Sequence, residues 1–224
     1  MAGWLALHGG GEFQRGSEIG DRRLIVAAGG ADARVMIVPT AAGVDYPEMA
    51  ARNGIAWFKQ LGARPDAAMA IDVQSANDPQ VVAKLETATL IYLPGGDPLF
   101  LVETLRGSKV LEALVKAYQR GVAIGGASAG AMALGTRMWN PRTGDLIDGL
   151  GLIPIVTLPH FGAERIDRAR TLRQQLDHAT RLYGIGERTS AIWDGSQWTA
   201  WGPGTVVEVL MDNVKTYQSG ESFL

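Results

Sequence analysis

The feature that most constrains this chain is an alternation of short apolar runs with longer stretches of helical spacing, sustained from the N-terminus past the midpoint. The apolar runs predict strands over 4–8, 34–39, 69–73, 89–93, 122–125 and 190–193. Helices are predicted over 47–61, 79–86, 98–105, 109–119, 129–135 and 163–183. Strands that are apolar throughout and alternate with helices belong to a mostly parallel α/β sheet covered on both faces. Functional groups of such sheets collect beyond the carboxyl ends of the strands. The segments 197–201 and 205–211 lie close together and predict a C-terminal β-hairpin or edge extension. No repeat, low-complexity stretch or linker interrupts the chain, so residues 1–224 are expected to form a single domain.

Composition removes several classes of function. The 224 residues carry a formal net charge of −2, and no long basic run suggests a nucleic acid or an anionic membrane as partner. Cysteine is absent, which excludes disulfides, a thiolate nucleophile and Cys-ligated metal. The N-terminus lacks a basic lead and reaches three glycines quickly, so it reads as a first strand and not a signal peptide. No apolar run approaches the roughly 20 residues of a membrane span. The expectation is a cytoplasmic protein.

Three glycine turns follow predicted strands: Gly9-Gly10-Gly11, Gly95-Gly96-Asp97 and Gly125-Gly126-Ala127. None fits the dinucleotide or phosphate-loop pattern. The third opens Gly126-Ala127-Ser128-Ala129-Gly130, a strand, a tight turn and a helix start with Gly-x-Ser-x-Gly spacing. Small residues two positions either side of a serine let neighbouring elements pass close while the hydroxyl stands exposed on a strained turn. Ser128 is thereby a candidate nucleophile, and the competing reading is a helix N-cap in a Gly/Ala-rich packing turn.

A serine nucleophile needs a base, and the only histidines are His8, His160 and His178. His8 ends the first strand with no evident orienting partner, and His178 falls inside the predicted helix 163–183. His160 lies in Val156-Thr157-Leu158-Pro159-His160-Phe161-Gly162, where a strand ends in a loop, and is the preferred base. For the acid that orients it, Glu187 and Asp194 flank strand 190–193, and spacing does not choose between them. The order Ser…His…acid differs from that of α/β-hydrolases, which would instead require Asp145 or Asp148 as acid.

With the elbow, Gly95-Gly96-Asp97, Leu158-Pro159-His160-Phe161 and Gly184-Ile185-Gly186-Glu187 in this order, the sequence resembles the dipeptidase E/cyanophycinase family of serine peptidases over residues 3–210. The resemblance implies a class I glutamine amidotransferase-like fold, with Ser128 as nucleophile, His160 as base and Glu187 as acid. It implies an oxyanion hole made by the amides of Gly96 and Ala129. Arg165, in the run Arg165-Ile166-Asp167-Arg168-Ala169-Arg170, takes the place of an arginine that binds an acidic substrate group, although a solvated helix face explains the same run. Asp97 and Asn140, the latter in Trp139-Asn140-Pro141-Arg142, are candidate substrate contacts. Three departures bear on specificity: Pro98 after the Gly-Gly-Asp turn, Leu158-Pro159 before the histidine, and a short segment between His160 and the arginines.

The expectation is a serine peptidase hydrolysing short peptides, of dipeptidase or exopeptidase type, through an acyl-enzyme. No metal or other cofactor is required, and a homodimer is allowed for. A cyanophycinase-like isopeptide hydrolase or an esterase is the alternative among enzymes, and an amidotransferase-like small-ligand-binding protein the alternative outside them.

Overall fold

The computed structural model describes residues 3–43 and 45–224. The first half runs β1 (Leu5–His8), α1 (Glu18–Ala27), β2 (Arg34–Ile37), α2 (Pro47–Gln60), β3 (Arg64–Ala67), α3 (Pro79–Glu86), β4 (Leu90–Leu93), α4 (Pro98–Leu105), α5 (Lys109–Gln119) and β5 (Ala123–Ala127). The second half runs α6 (Ala129–Ala133), β6 (Arg137–Trp139), β7 (Leu146–Asp148), β8 (Ile155–Leu158), α7 (Ile166–Arg173), β9 (Arg181–Ile185), β10 (Ser190–Trp193), β11 (Trp198–Trp201), β12 (Val206–Val209), β13 (Val214–Tyr217) and β14 (Ser222–Phe223). No helix among the described residues is long and apolar enough to cross a membrane.

Eight strands form the main sheet in the order β14-β11-β10-β1-β5-β4-β2-β3. From β1 to β3 all pairings are parallel, and β10, β11 and β14 extend the sheet antiparallel. Strand parity divides the core. Leu5, Leu7, Ile91, Leu93 and Ile124 face Leu85, Leu101 and Leu114 of α3, α4 and α5. Ala6, Leu90 and Tyr92 face Leu24 of α1 and Phe58 of α2. Fully burying one side chain of the size of Phe58 contributes about 1.5–3 kcal/mol. The helices start where local chemistry dictates. Pro47, Pro79 and Pro98 occupy first turns, where the missing N–H costs nothing, and Asp78, Asp97 and Ser108 accept from backbone amides as N-caps.

A second sheet, β13-β12-β9-β8, packs beside the first, and β6 and β7 make a separate hairpin. Within the second sheet β8 and β9 are parallel, with Leu158 opposite Gly184.

Three expectations are corrected. The strand expected over 69–73 lies earlier, at β3, which is the sheet edge and carries exposed Arg64 and Asp66 with Pro65 between them. Polar side chains and proline suit an edge, so the strand has no apolar signature. The apolar residues after it, Ala68 and Ala70, are buried in the connection instead. The helix expected over 163–183 is a 3-10 turn and the short α7, followed by a loop and β9. Buried Arg173 ends it by donating to the carbonyls of Thr180 at 2.9 Å and Asp177 at 3.0 Å. Of the expected C-terminal hairpin or edge extension, 197–201 forms the edge extension, while the segment over 205–211 pairs elsewhere. Residues of 197–201 join the main sheet as β11, and β12 turns into β13 in the second sheet.

Candidate active site

Ser128 stands between β5 and α6 at φ 49° and ψ −110°, backbone angles that a non-glycine residue rarely adopts. The elbow's glycines are demanded by proximity. A Cβ on Gly126 would lie 2.7 Å from the Gly130 carbonyl carbon, and one on Gly130 would strike the backbone of Leu93 in β4. The turn therefore seats α6 directly on the sheet and leaves the Ser128 hydroxyl half-exposed.

His160 and Glu187 arrive from adjacent parallel strands, each two residues beyond the last residue of its strand: β8 ends at Leu158 and β9 at Ile185. Ser128 Oγ lies 2.8 Å from His160 Nε2, and His160 Nδ1 lies 2.5 Å from Glu187 Oε1. The consistent assignment has Nδ1–H donating to the carboxylate and Nε2 accepting from the serine hydroxyl. His160 and Glu187 are 40% and 51% exposed, so the pair meets solvent and gains little from a low-dielectric surround.

The frame that holds these residues is backbone. The His8 carbonyl accepts from Ser128 N–H at 3.0 Å, the Gly9 carbonyl from His160 N–H at 2.6 Å, and the Gly10 carbonyl from Arg188 N–H at 2.8 Å. Three consecutive carbonyls at the end of β1 thus hold Ser128, His160 and Arg188, the residue after Glu187. Gly10, at φ 121°, passes beneath the imidazole, where a Cβ would lie 2.6 Å from His160 Nδ1. His160 and Arg188 themselves adopt φ 52° and φ 55°.

The amides of Gly96 and Ala129 flank Ser128, and among the described residues neither has a hydrogen-bond partner. Glu12 Oε1 accepts from Gly95 N–H at 2.7 Å and fixes the peptide next to Gly96. A pocket of about 410 Å³ opens beside Ser128, with Met132, Trp139 and Leu158 on its walls and Arg165 and Arg168 as its cations. Arg168 lies over the Trp139 ring at 4.3 Å, and Arg165 donates to the Pro159 carbonyl at 3.1 Å. Among the described residues no group of His, Cys, Asp or Glu is arranged to hold a metal ion.

Chemically, this is a hydroxyl within hydrogen-bond reach of a base, a carboxylate orienting that base, and two amide donors beside the hydroxyl. Such a set serves nucleophilic acyl transfer. Comparison with known proteins agrees. The model of peptidase family S51 matches residues 5–200. The chain belongs to peptidase family S51. It is a serine-type peptidase. Among the relatives of this S51 peptidase, a cyanophycinase from Geminocystis herdmanii is 30% identical over 218 residues, covering 92% of this chain and 79% of the relative. A cyanophycinase from Nostoc sp. is 29% identical over 206 residues, covering 87% of this chain and 68% of the relative. The crystal structure of a peptidase from an acI-B1 Actinobacterium superposes with a TM-score of 0.86 at 29% identity, over 100% of this chain and 97% of that one.

The S51 chain brings together Ser128, His160, Glu187, Gly96, Ala129 and Arg165. Asp97 and Asn140 stand apart from the pocket wall. Asp97 caps α4 through Leu99 and Phe100 and takes Arg142 on its other oxygen at 2.6 Å. Asn140 closes its own turn by accepting from Arg142 N–H at 2.9 Å. Asp194 follows the end of β10 that pairs with Leu5, the opposite end of the sheet from Ser128, and so lies away from His160. His8 supplies its carbonyl to the site while its ring is buried elsewhere. Sequence reading missed Gly9 and Gly10 as a frame, Glu12 as a brace and Arg168 as a pocket cation. The glycine run and the spacing Arg165-x-x-Arg168 were the available signals.

Proposed function

We propose that this S51 peptidase hydrolyses short peptides bearing an acidic group, with Ser128 as nucleophile, His160 as general base and Glu187 as the orienting acid. The observation that carries this reading is the continuous chain Ser128 Oγ, His160 Nε2, His160 Nδ1, Glu187 Oε1 at the mouth of a pocket holding two arginines. Ser128 attacks the scissile carbonyl as its proton passes to His160, and Glu187 stabilises the resulting imidazolium. The Gly96 and Ala129 amides hold the oxyanion, a donor pair whose members are each worth roughly 3–4 kcal/mol in the transition state. His160 then gives its proton to the leaving amine. Water activated by the same imidazole releases the acyl group. A pocket of about 410 Å³ favours a residue or two over a long chain.

A second reading has one observation in its favour. The relatives at 29–30% identity are cyanophycinases, so cyanophycin and its isopeptide-linked fragments are the competing substrate. The test is a fluorophosphonate probe followed by a library of dipeptides, blocked peptides and cyanophycin. Labelling at Ser128 that vanishes in His160→Ala, with dipeptide cleavage lost in Ser128→Ala, is the expected result. Cleavage of cyanophycin alone transfers the assignment to the second reading, and a folded, unlabelled protein sinks both.

A further inference from the structure

On the face of the main sheet covered by α1 and α2, a second array of hydrogen-bonding side chains is sealed from solvent. His8 and Ser190 are partners in the pairing of β1 with β10. His8 is 2% exposed, Ser190 1% and Asp21 0%. Ser190 Oγ lies 2.6 Å from His8 Nδ1, and His8 Nε2 lies 3.6 Å from Asp21 Oδ1. From α2, Trp57 donates its indole N–H to Asp21 Oδ2 at 2.8 Å. From β4, Tyr92 stands beside His8 with ring centroids 5.4 Å apart. His8 Nε2, Asp21 Oδ1 and the Tyr92 hydroxyl are buried and without hydrogen-bond partners.

None of these groups lines the pocket at Ser128, so Ser190 is no second nucleophile. Its imidazole is also reversed relative to the exposed set, presenting Nδ1 to the serine and Nε2 to the carboxyl group. The array instead sits where the frame of the site begins. The His8 carbonyl accepts from Ser128 N–H, and the Thr189 carbonyl, one residue before Ser190, accepts from Gly9 N–H at 2.9 Å.

We propose that the Ser190–His8–Asp21 array is a positioning device for the nucleophile: it fixes the end of β1 that holds Ser128, and its arrangement changes with the proton on Asp21. This rests on the reading of Ser128 as nucleophile. The groups that face Asp21 are His8 from β1, Trp57 from α2, Tyr92 from β4, Glu12 from the loop after β1 and Glu18 on its own helix. Burial pushes Asp21 up to about 7, with Glu12 and Glu18 adding to the rise and the Trp57 hydrogen bond opposing it. Burial pushes His8 down to about 3. Below neutrality, protonated Asp21 presents an O–H to the bare Nε2 of His8, whose Nδ1–H faces Ser190. Once Asp21 loses its proton to solvent, two acceptors oppose each other. Relief requires the His8 proton on Nε2 in place of Nδ1, and Ser190 then turns from acceptor to donor.

The test is the rate of Ser128 acylation by a fluorophosphonate across about pH 5 to 9, in wild type and Asp21→Asn. Wild type is expected to lose about tenfold in rate as Asp21 ionises, less than the roughly hundredfold cost of a 1 Å misplacement. The variant lacks this loss. Infrared spectroscopy of wild type is expected to show the carbonyl band of a protonated carboxylic acid at acid pH, lost in the variant. If Asp21→Asn fails to fold by circular dichroism, Ser190→Ala takes its place and is expected to slow acylation with the exposed residues untouched. A folded Asp21→Asn whose profile superimposes on wild type, or a Ser190→Ala protein acylated at the wild-type rate, overturns the proposal alone. A wild type that is never labelled overturns it together with the nucleophile assignment.

Discussion

Gly10→Ala is the sharpest probe of how the site is held, because it adds one methyl group at a known place. Gly10 sits at φ 121°, which an L-residue adopts only under strain, a cost of about 1–3 kcal/mol. The new Cβ would also lie 2.6 Å from His160 Nδ1, whereas ordinary contact begins at 3.4 Å. With Cε1 nearer still, at 2.3 Å, the imidazole must retreat by about 1 Å, and the 2.8 Å and 2.5 Å bonds to Ser128 and Glu187 cannot both survive that shift. Misplacement on this scale costs about 10²-fold in rate. Complete loss of base orientation costs about 10⁴-fold. The variant should therefore fall between these limits in kcat, a loss of roughly 3–5 kcal/mol of transition-state stabilisation. KM should change little, since Arg165, Arg168 and Trp139 are untouched. Gly107→Ala is the control. Gly107 also has positive φ, at 71°, but nothing lies within 4 Å of its added Cβ. Strain alone should lower its Tm without altering kcat. Acylation rates and melting curves of both variants decide the matter. A folded Gly10→Ala protein acylated at the wild-type rate would refute the claim that β1's glycine turn holds the imidazole.

Three further outcomes are expected. Glu187→Gln leaves the shape of the site but not the carboxylate, and should lower kcat by about 10⁴-fold with KM preserved, read by steady-state kinetics. Arg168→Ala removes a pocket cation and the lid it lays over Trp139, and should raise KM for acidic peptides about 10- to 100-fold with kcat kept; an unchanged KM would separate Arg168 from substrate. The third concerns stability against pH. Asp21 is raised from 3.8 to about 7, so its contribution is full below pH 3.8 and lost as pH rises through about 7. His8 is lowered from 6.5 to about 3, so its contribution is full above pH 6.5 and lost as pH falls through about 3. Between pH 3.8 and 6.5 the two slopes cancel, because folded and unfolded pairs each bind one proton. Asp21→Asn removes one side of the balance. Its stability should decline by up to about 1.4 kcal/mol per pH unit on acidification, where wild type shows no such slope from this pair, as urea titrations at several pH values would reveal.

Much of this arrangement was legible before any coordinates. The inner strands announce themselves because β1, β4 and β5 are buried on both faces, and continuous apolar runs such as Leu90-Ile91-Tyr92-Leu93 carry that burial openly. The elbow was readable because its glycines answer a steric demand from Gly130 and Leu93, which any such turn makes. Choosing Glu187 over Asp194 was not a matter of spacing. It follows from the register that puts Leu158 beside Gly184, and register is a tertiary property. The edge strand β3 was invisible because an edge needs no apolar face. The end of α7 was hidden because buried Arg173 closes it from the far side of a loop. Arg168 reads as a solvated helix residue until Trp139, from the β6–β7 hairpin, is seen beneath it.

The three carbonyls at the end of β1 have a consequence of their own. His8, Gly9 and Gly10 grip Ser128, His160 and Arg188 through atoms that every amino acid possesses. The pocket beside Ser128, by contrast, is lined by side chains such as Trp139 of β6, Arg165 just before α7 and Arg168 of α7, none of which makes those three bonds. Trp139 and Arg168 thus touch the pocket without gripping Ser128 or His160, whereas Arg165 is tied to the Pro159 carbonyl beside His160. On the proposed reading, a protein engineer can re-line the walls at Trp139 and Arg168 and leave the backbone grip on Ser128 and His160 in place.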